Sequence, residues 1–285
     1  MWNWISEPYS LDFMQQALVI GLMVGISSAV LSCFLILKGW SLMGDAVSHA
    51  VLPGVVLAHL AGVPLLVGAF ITGMLCATAT GYLSANSRIK EDTVMGVVFS
   101  GLFALGIVMF SKVQPGFDIH QILFGDMLGV IWTDVLLAAI VLLPSLAALM
   151  VFRRDLMVFA FDPEHATVAG LSVGALHYGL LTVLSLVIVA SIKAVGIILV
   201  IAVLIAPGAI SYLLVSRFET MVWLSIPIAA FSTFTGVTAS YHLNSAPAPT
   251  IVVVLSLLFV MAFLLSPKNG LLRAASQKAA KTTVE

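Results

Sequence analysis

Over residues 195–211 the chain reads VGIILVIAVLIAPGAIS, and no charged residue occurs between Lys193 and Arg217. A stretch so long and so apolar has few places to go. About 20 apolar residues are what a helix needs to cross the hydrocarbon of a bilayer, and several runs in the chain reach that length. Only 9% of the residues are charged and 61% are hydrophobic, against about 25% charged in an ordinary soluble protein. A water-soluble domain could not cover its surface with so few charges. The sequence therefore describes an integral membrane protein, all-α because backbone facing lipid must satisfy its hydrogen bonds within its own segment.

Nine spans are expected, at 16–37, 44–61, 64–85, 94–113, 132–152, 174–192, 195–215, 221–240 and 250–266. The count falls to eight if the second, which holds Asp45, His49 and Pro53, only dips into the membrane. With the N-terminus outside, ten basic residues (Lys38, Arg88, Lys90, Arg153, Arg154, Arg217, Lys268, Arg273, Lys278 and Lys281) fall on the cytoplasmic side. Only Lys112 and Lys193 fall outside, a clear positive-inside bias that favours nine spans. The expected organisation is one transmembrane domain over 1–266 and a basic cytoplasmic C-terminal tail over 267–285. The start of the chain, MWNWISEPYS, lacks the basic region of a cleavable signal peptide. Cys33 and Cys76 lie in apolar runs without zinc-site spacing and read as small buried hydrophobes.

Several chemistries find no support. There is no GxxxxGK[ST] loop to cradle ATP phosphates, no GxSxG and no HExxH. A net charge of −1 gives no reason to expect nucleic acid. No catalytic residues and no tightly bound cofactor are expected.

The stretch GDAVSHAVLPG, residues 44–54, is the exception to the apolar pattern. Asp45 and His49 stand at i and i+4, so a helix puts them on one face with their Cβ atoms about 5–6 Å apart. An ionisable group at membrane depth costs roughly 2.5–3.5 kcal/mol on insertion scales, and such groups usually line a path or a protein interior. A carboxylate beside an imidazole suits a cation such as Mn, Fe or Zn. The same pair could instead be structural, with the carboxylate accepting from the imidazole to lock helix packing. Two ligands do not complete a transition-metal site. If the pair binds metal, a second copy related by a two-fold axis is needed to supply the rest. Pro53 removes the hydrogen bond to the carbonyl of residue 49 and should disturb the helix.

Other candidates are weaker. His59, fourteen residues after Asp45, falls near the outer mouth, as part of a path or as an interfacial histidine. Asp118 and His120, in the expected outer loop QPGFDIHQILFGDMLGVI, read as an outer gate or as part of a connector packed on the bundle. On the expected cytoplasmic side, RRDLMVFAFDPEHATVAG opens a short helix at Asp162-Pro163-Glu164 and continues through small residues, Ala166 and Gly170 among them. It reads as a docking element or as a plain connector. Pro207-Gly208 marks a hinge or a close packing point.

Taken together, LKGWSLMGDAVSHAVLPGV (37–55), FDPEHATVAGL (161–171), KAVGIILVIAVLIAPGA (193–209) and SAPAPTIVVV (245–254) resemble the membrane permeases of manganese, iron and zinc ABC importers. The likeness covers nearly the whole chain and is nearest to the Gram-negative iron/manganese branch. It implies a type II importer fold, like that of the vitamin B12 importer. It implies two paired permease subunits in the bacterial inner membrane, identical or merely related. It implies separate ATPase subunits beneath them and a periplasmic or lipoprotein metal-binding protein that delivers the ion. It places the metal path at Asp45 and His49, and the ATPase coupling element at Asp162, Pro163, Glu164, Ala166 and Gly170. The cargo implied is Mn²⁺ or Fe²⁺. With only six histidines the chain lacks the His-rich loops of the zinc branch, so a zinc importer is the alternative. A proton-coupled secondary transporter using Asp45 and His49 as a relay is a more distant one.

Overall fold

The computed structural model describes residues 7–112 and 125–266. After a 3-10 turn at Pro8–Ser10, the described residues form eleven α-helices, numbered here in chain order. They are α1 (Asp12–Lys38), α2 (Met43–Ala50), α3 (Leu52–Ala61), α4 (Leu65–Ala85), α5 (Glu91–Phe110) and α6 (Trp132–Val151). Two short helices follow, α7 (Arg153–Phe161) and α8 (Pro163–Val168), then α9 (Val173–Leu214), α10 (Phe218–Leu243) and α11 (Pro247–Leu265). No strand occurs among the described residues.

Although α9 looks like one helix of 42 residues, it holds two spans. The ring of His177, near its start, lies 5.2 Å from that of Trp40, just beyond the end of α1. Gly208, near its end, packs on Ser32 and Ile36 in the last turns of α1. A straight helix would hold His177 and Gly208 about 46 Å apart, at 1.5 Å per residue. The chain must therefore reverse between them. Gly196 does this with φ 70° and ψ 169°, the one non-helical residue in the segment, in a region where a side chain would be strained. The halves Val173–Ile192 and Leu199–Leu214 are thus antiparallel. Eight helices among the described residues are long and apolar enough to cross a membrane, with α2 and α3 counted as one, and Leu199–Leu214 is a shorter ninth. Eight spans and a shorter ninth among the described residues fall within the eight to nine expected, with ends shifted by a few residues; α1 begins at Asp12 and α10 runs to Leu243.

Pro207-Gly208 does not break its helix. The backbone stays helical through both residues, and Gly208 lets α9 approach α1 closely, since a Cβ there would meet Ser32 and Ile36. Close packing, not a hinge, explains that pair.

Burial separates centre from periphery. In α1 and in the α2–α3 span, 72% of the apolar window is buried, against 17% in α5. The α2–α3 span lies among α4, α5 and α9. Its continuity lapses at Val51, two residues before Pro53. The lapse is accommodated on both sides. The hydroxyl of Thr72 in α4 donates to the Val51 carbonyl at 3.3 Å. Gly54 and Gly68 bring α3 and α4 into backbone contact, with no room for a Cβ on either. On the opposite flank, a Cβ on Gly106 of α5 would lie 2.9 Å from Leu52 and Pro53. Three glycines thus let neighbouring helices close around the proline.

Overpacking such a contact costs typically about 1–3 kcal/mol. Gly68→Leu is therefore expected to lower the Tm of the detergent-purified protein by several degrees. Gly101→Ala, where no atom lies within 4 Å of the new Cβ, should leave the Tm unchanged or raise it. Equal Tm values for the two variants would contradict this account of the bend.

Candidate functional site

Asp45 and His49 meet as their spacing requires: His49 Nε2 lies 3.2 Å from Asp45 Oδ1. The rest of α2 is sealed. Gly44, Ala46, Val47, Ser48 and Ala50 are all buried, and the Ser48 hydroxyl is spent on the Gly44 carbonyl at 2.7 Å. The Asp45 and His49 side chains keep 34% and 28% of their surface open. The pair therefore occupies the open side of an otherwise enclosed helix.

The sequence reading missed what holds His49. Phe99 and Phe103 stand one turn apart on α5 and flank the imidazole. The Phe99 ring is nearly parallel to it at 6.0 Å, and Phe103 meets it edge-on at 5.1 Å. His49 Nδ1 is buried without a hydrogen-bond partner. The aromatic rings thus wall off one nitrogen and leave the other facing the carboxylate. An i, i+4 phenylalanine pair in an apolar helix gives no sign of this, since nothing in the sequence tells which helix it will face.

A carboxylate oxygen and an imidazole nitrogen held this close can share a cation in place of their direct contact. They are two ligands where a transition metal takes four to six. Among the described residues, no group of three His, Cys, Asp or Glu side chains is placed to hold a metal. His59 does not join the pair. It sits, exposed, in the last turn of α3 beside Gly62, roughly 20 Å further along the span by helical rise. Asp118 and His120 lie outside the described residues. The described end of their loop packs on the bundle. The Gly125 backbone abuts residues 194–196 and Met127 packs on Gly21, while Asp126 Oδ1 accepts the Gly129 N–H at 2.9 Å.

At the other end of the bundle, Asp162 caps α8, its Oδ1 accepting from the N–H groups of Glu164 and His165 at 3.0 Å each. Pro163 fills the first helical position and Gly170, at φ 78°, ends the turn that follows. Ala166, expected on a docking surface, is fully buried. Its small side chain lets the short helix sit down on the bundle. Asp162, Glu164, His165, Thr167, Ala169 and Gly170 are exposed, as are Phe161 at 79% and Val168 at 86%. Those two apolar flanks of a polar turn were a legible signal that was passed over. Beside the segment a cleft of about 470 Å³ opens, lined by Leu37, Met157, Phe161, His165, Tyr212 and Arg217 among others. Arg153 and Arg154 stand close by, against Phe218 and Glu219, so the basic residues gather at this end.

The model of the ABC 3 transport family matches residues 10–266. The chain is 49% identical over 264 residues to the chelated iron transport system membrane protein YfeD of Yersinia pestis, covering 93% of this chain and 89% of that protein. It is 45% identical over 271 residues to the manganese transport system membrane protein MntB of Synechocystis, covering 95% of this chain and 89% of that one. Among solved structures, PsaBC from Streptococcus pneumoniae in complex with Fab superposes with a TM-score of 0.86 at 36% identity, over 96% of this chain and 99% of that chain. An inward-facing ABC transporter of metal-chelate type shares the fold at 15% identity, with a TM-score of 0.68 over 88% of this chain and 84% of that chain.

The burial of Ala166 makes a prediction about stability. Ala166→Phe should lower the Tm of the purified chain by several degrees, because no space exists for the ring. Val168→Ser, on the open side, should change it little. The reverse order of Tm values would mean that the segment is seated the other way round.

Proposed function

The chain belongs to the ABC 3 transport family, and from that premise we propose that it is the membrane-spanning subunit of an ATP-driven importer of Mn²⁺ or Fe²⁺ in a bacterial inner membrane. The observation that carries the reading is the Asp45–His49 pair, 3.2 Å apart and partly open on a helix that is otherwise buried. The relatives named for iron and for manganese transport agree with a carboxylate–imidazole donor set, which suits either ion. Zinc would bind the same donors at least as tightly by intrinsic affinity. Discrimination against it then falls largely to the protein that delivers the ion.

Each chain supplies half of the site. A second permease subunit, the same or related, faces the open side of α2 and brings its own Asp–His pair to a path on the two-fold axis. The N-terminus lies outside and the basic end is cytoplasmic, in keeping with Lys38, Arg88, Lys90, Arg153, Arg154 and Arg217. Residues 162–170 then face the cytoplasm, where a separate ATPase subunit docks against Glu164, Phe161 and Val168. Asp162, Pro163, Ala166 and Gly170 shape that element. The tail over 267–285 follows on the same side.

Replacing Asp45 or His49 with alanine in the reconstituted complex should cut metal uptake at limiting metal by about tenfold or more, the loss of one of few ligands. Uptake at the wild-type rate in both variants would remove the pair from the path. Competition among Mn²⁺, Fe²⁺ and Zn²⁺ in the same assay ranks the cargo.

Val168→Asp together with Glu164→Lys should leave the chain folded and abolish co-purification of the ATPase. Undiminished co-purification would place the docking surface elsewhere.

A further inference from the structure

The residues between α1 and α2 have a second role. Lys38 ends α1, and residues 39–42 lead directly into the helix that carries Asp45 and His49. Lys38 Nζ lies 4.5 Å from the ring centroid of Phe159 and 5.8 Å from that of Trp40. The two rings are among the buried side chains, with Trp40 at 4% and Phe159 at 1% exposure. The His177 ring meets both edge-on, at 5.2 Å from Trp40 and 6.1 Å from Phe159. Glu91 stands near the group, close enough for its carboxylate to interact electrostatically with Lys38.

What matters is where these residues come from. Phe159 is on α7, three residues before the Asp162 cap of the docking segment, and α7 packs against α8. His177 is on the first turns of α9, just after the same segment. Trp40 feeds α2, which carries the pair. Glu91 opens α5, which carries Phe99 and Phe103 against His49 two and three turns later. The cluster thus ties both sides of the docking segment to both walls of the candidate site. The link on the site side is short: Met43 N–H donates to the Trp40 carbonyl at 3.0 Å, so the first turn of α2 hangs on Trp40 itself.

Resting on the function proposed above, we propose that Lys38, held between Phe159 and Trp40 and balanced by Glu91, is the joint through which the docking segment moves α2. A cation against aromatic faces suits this task. The attraction asks only that the ammonium stay over a ring face within about 6 Å, not that it keep one exact position. The ion can slide between the two rings as α7 shifts without losing both contacts, whereas interlocked aliphatic side chains would jam. Lys38 acts as a positioning residue and touches no cargo.

The test uses the chain reconstituted with its ATPase partner, reading Mn²⁺ transported per ATP hydrolysed, the ATP hydrolysis rate, and Mn²⁺ bound by the complex. Lys38→Gln keeps a polar side chain of similar length and removes the charge. It is expected to lower transport per ATP about tenfold, the scale of a typical coupling energy, with hydrolysis and Mn²⁺ binding within about twofold of wild type. Lys38→Arg should restore the ratio, since guanidinium also stacks on aromatic rings. If Lys38→Gln does not assemble, Glu91→Gln reads the same ratio from the other side of the ion. A wild-type ratio in the assembled charge-removing variant overturns the proposal. So does a loss of binding and hydrolysis in step with transport, which would mark a structural cluster. Failure of the underlying function reads differently: Asp45→Ala would then transport Mn²⁺ normally, whatever Lys38 does.

Discussion

A carboxyl group in a span surrounded by hydrocarbon is the constraint on which this architecture turns. Asp45 is tolerable at that depth only where protein, water or a cation replaces the hydration it has lost. The fold answers by placing α2 at the centre, among α4, α5 and α9, instead of at the lipid boundary. Peripheral helices such as α5, with 17% of its apolar window buried, take the lipid. The sealing of every α2 neighbour of Asp45 and His49 follows from the same need. Polar surface is left open only where a second subunit and a passing ion would meet it.

That central position would be unworkable with ordinary side chains around Pro53. The proline has no N–H to offer the carbonyl of residue 49, and inside a membrane such a group cannot turn to water. Around it the packing is tight: the Thr72 hydroxyl adds a second donor to the Val51 carbonyl, which already accepts from the Val55 N–H, and Gly54 and Gly68 let two backbones touch. Proline, glycines and threonine form one device: a polar helix held tightly by its neighbours. The glycines are what allow α4 and α5 to close around the site-bearing span.

Much of this was legible in sequence because membranes simplify the grammar. Long apolar runs gave nine spans. The i, i+4 spacing gave the Asp45–His49 contact, now at 3.2 Å, because helical geometry fixes it locally. What stayed hidden depends on how helices turn toward one another. Pro207-Gly208 read as a hinge or a close packing point, and only the structure shows the packing: the helix runs on through both residues, while the reversal expected between 192 and 195 falls at Gly196. A proline announces its lost hydrogen bond, whereas a glycine announces only permission, and packing decides whether that permission is used. Ala166 gave the opposite error. Small residues near a turn look like a surface made for docking, but smallness serves equally to bring a helix down onto the core, and here it does so. Phe99 and Phe103 carried no signal, because an aromatic residue in a lipid-spanning helix is ordinary until its neighbour is known.

Ligand count joins these observations into one argument about assembly. A chain that held a complete, well-formed metal site would bind its ion tightly, and tight binding opposes release to the far side. Two ligands per chain avoid that trap. On the function proposed, the coordination sphere would close only when two chains meet at the axis and would loosen when they tilt apart, so affinity would become a function of subunit geometry. For such a scheme α2 must be rigid within itself and movable as a whole. Its sealed flanks and glycine contacts supply the first property. Its attachment to α1 through four residues, with Trp40 buried against a half-exposed lysine, supplies the second. On that proposal, binding and release would be two positions of one helix, set from the basic end of the bundle.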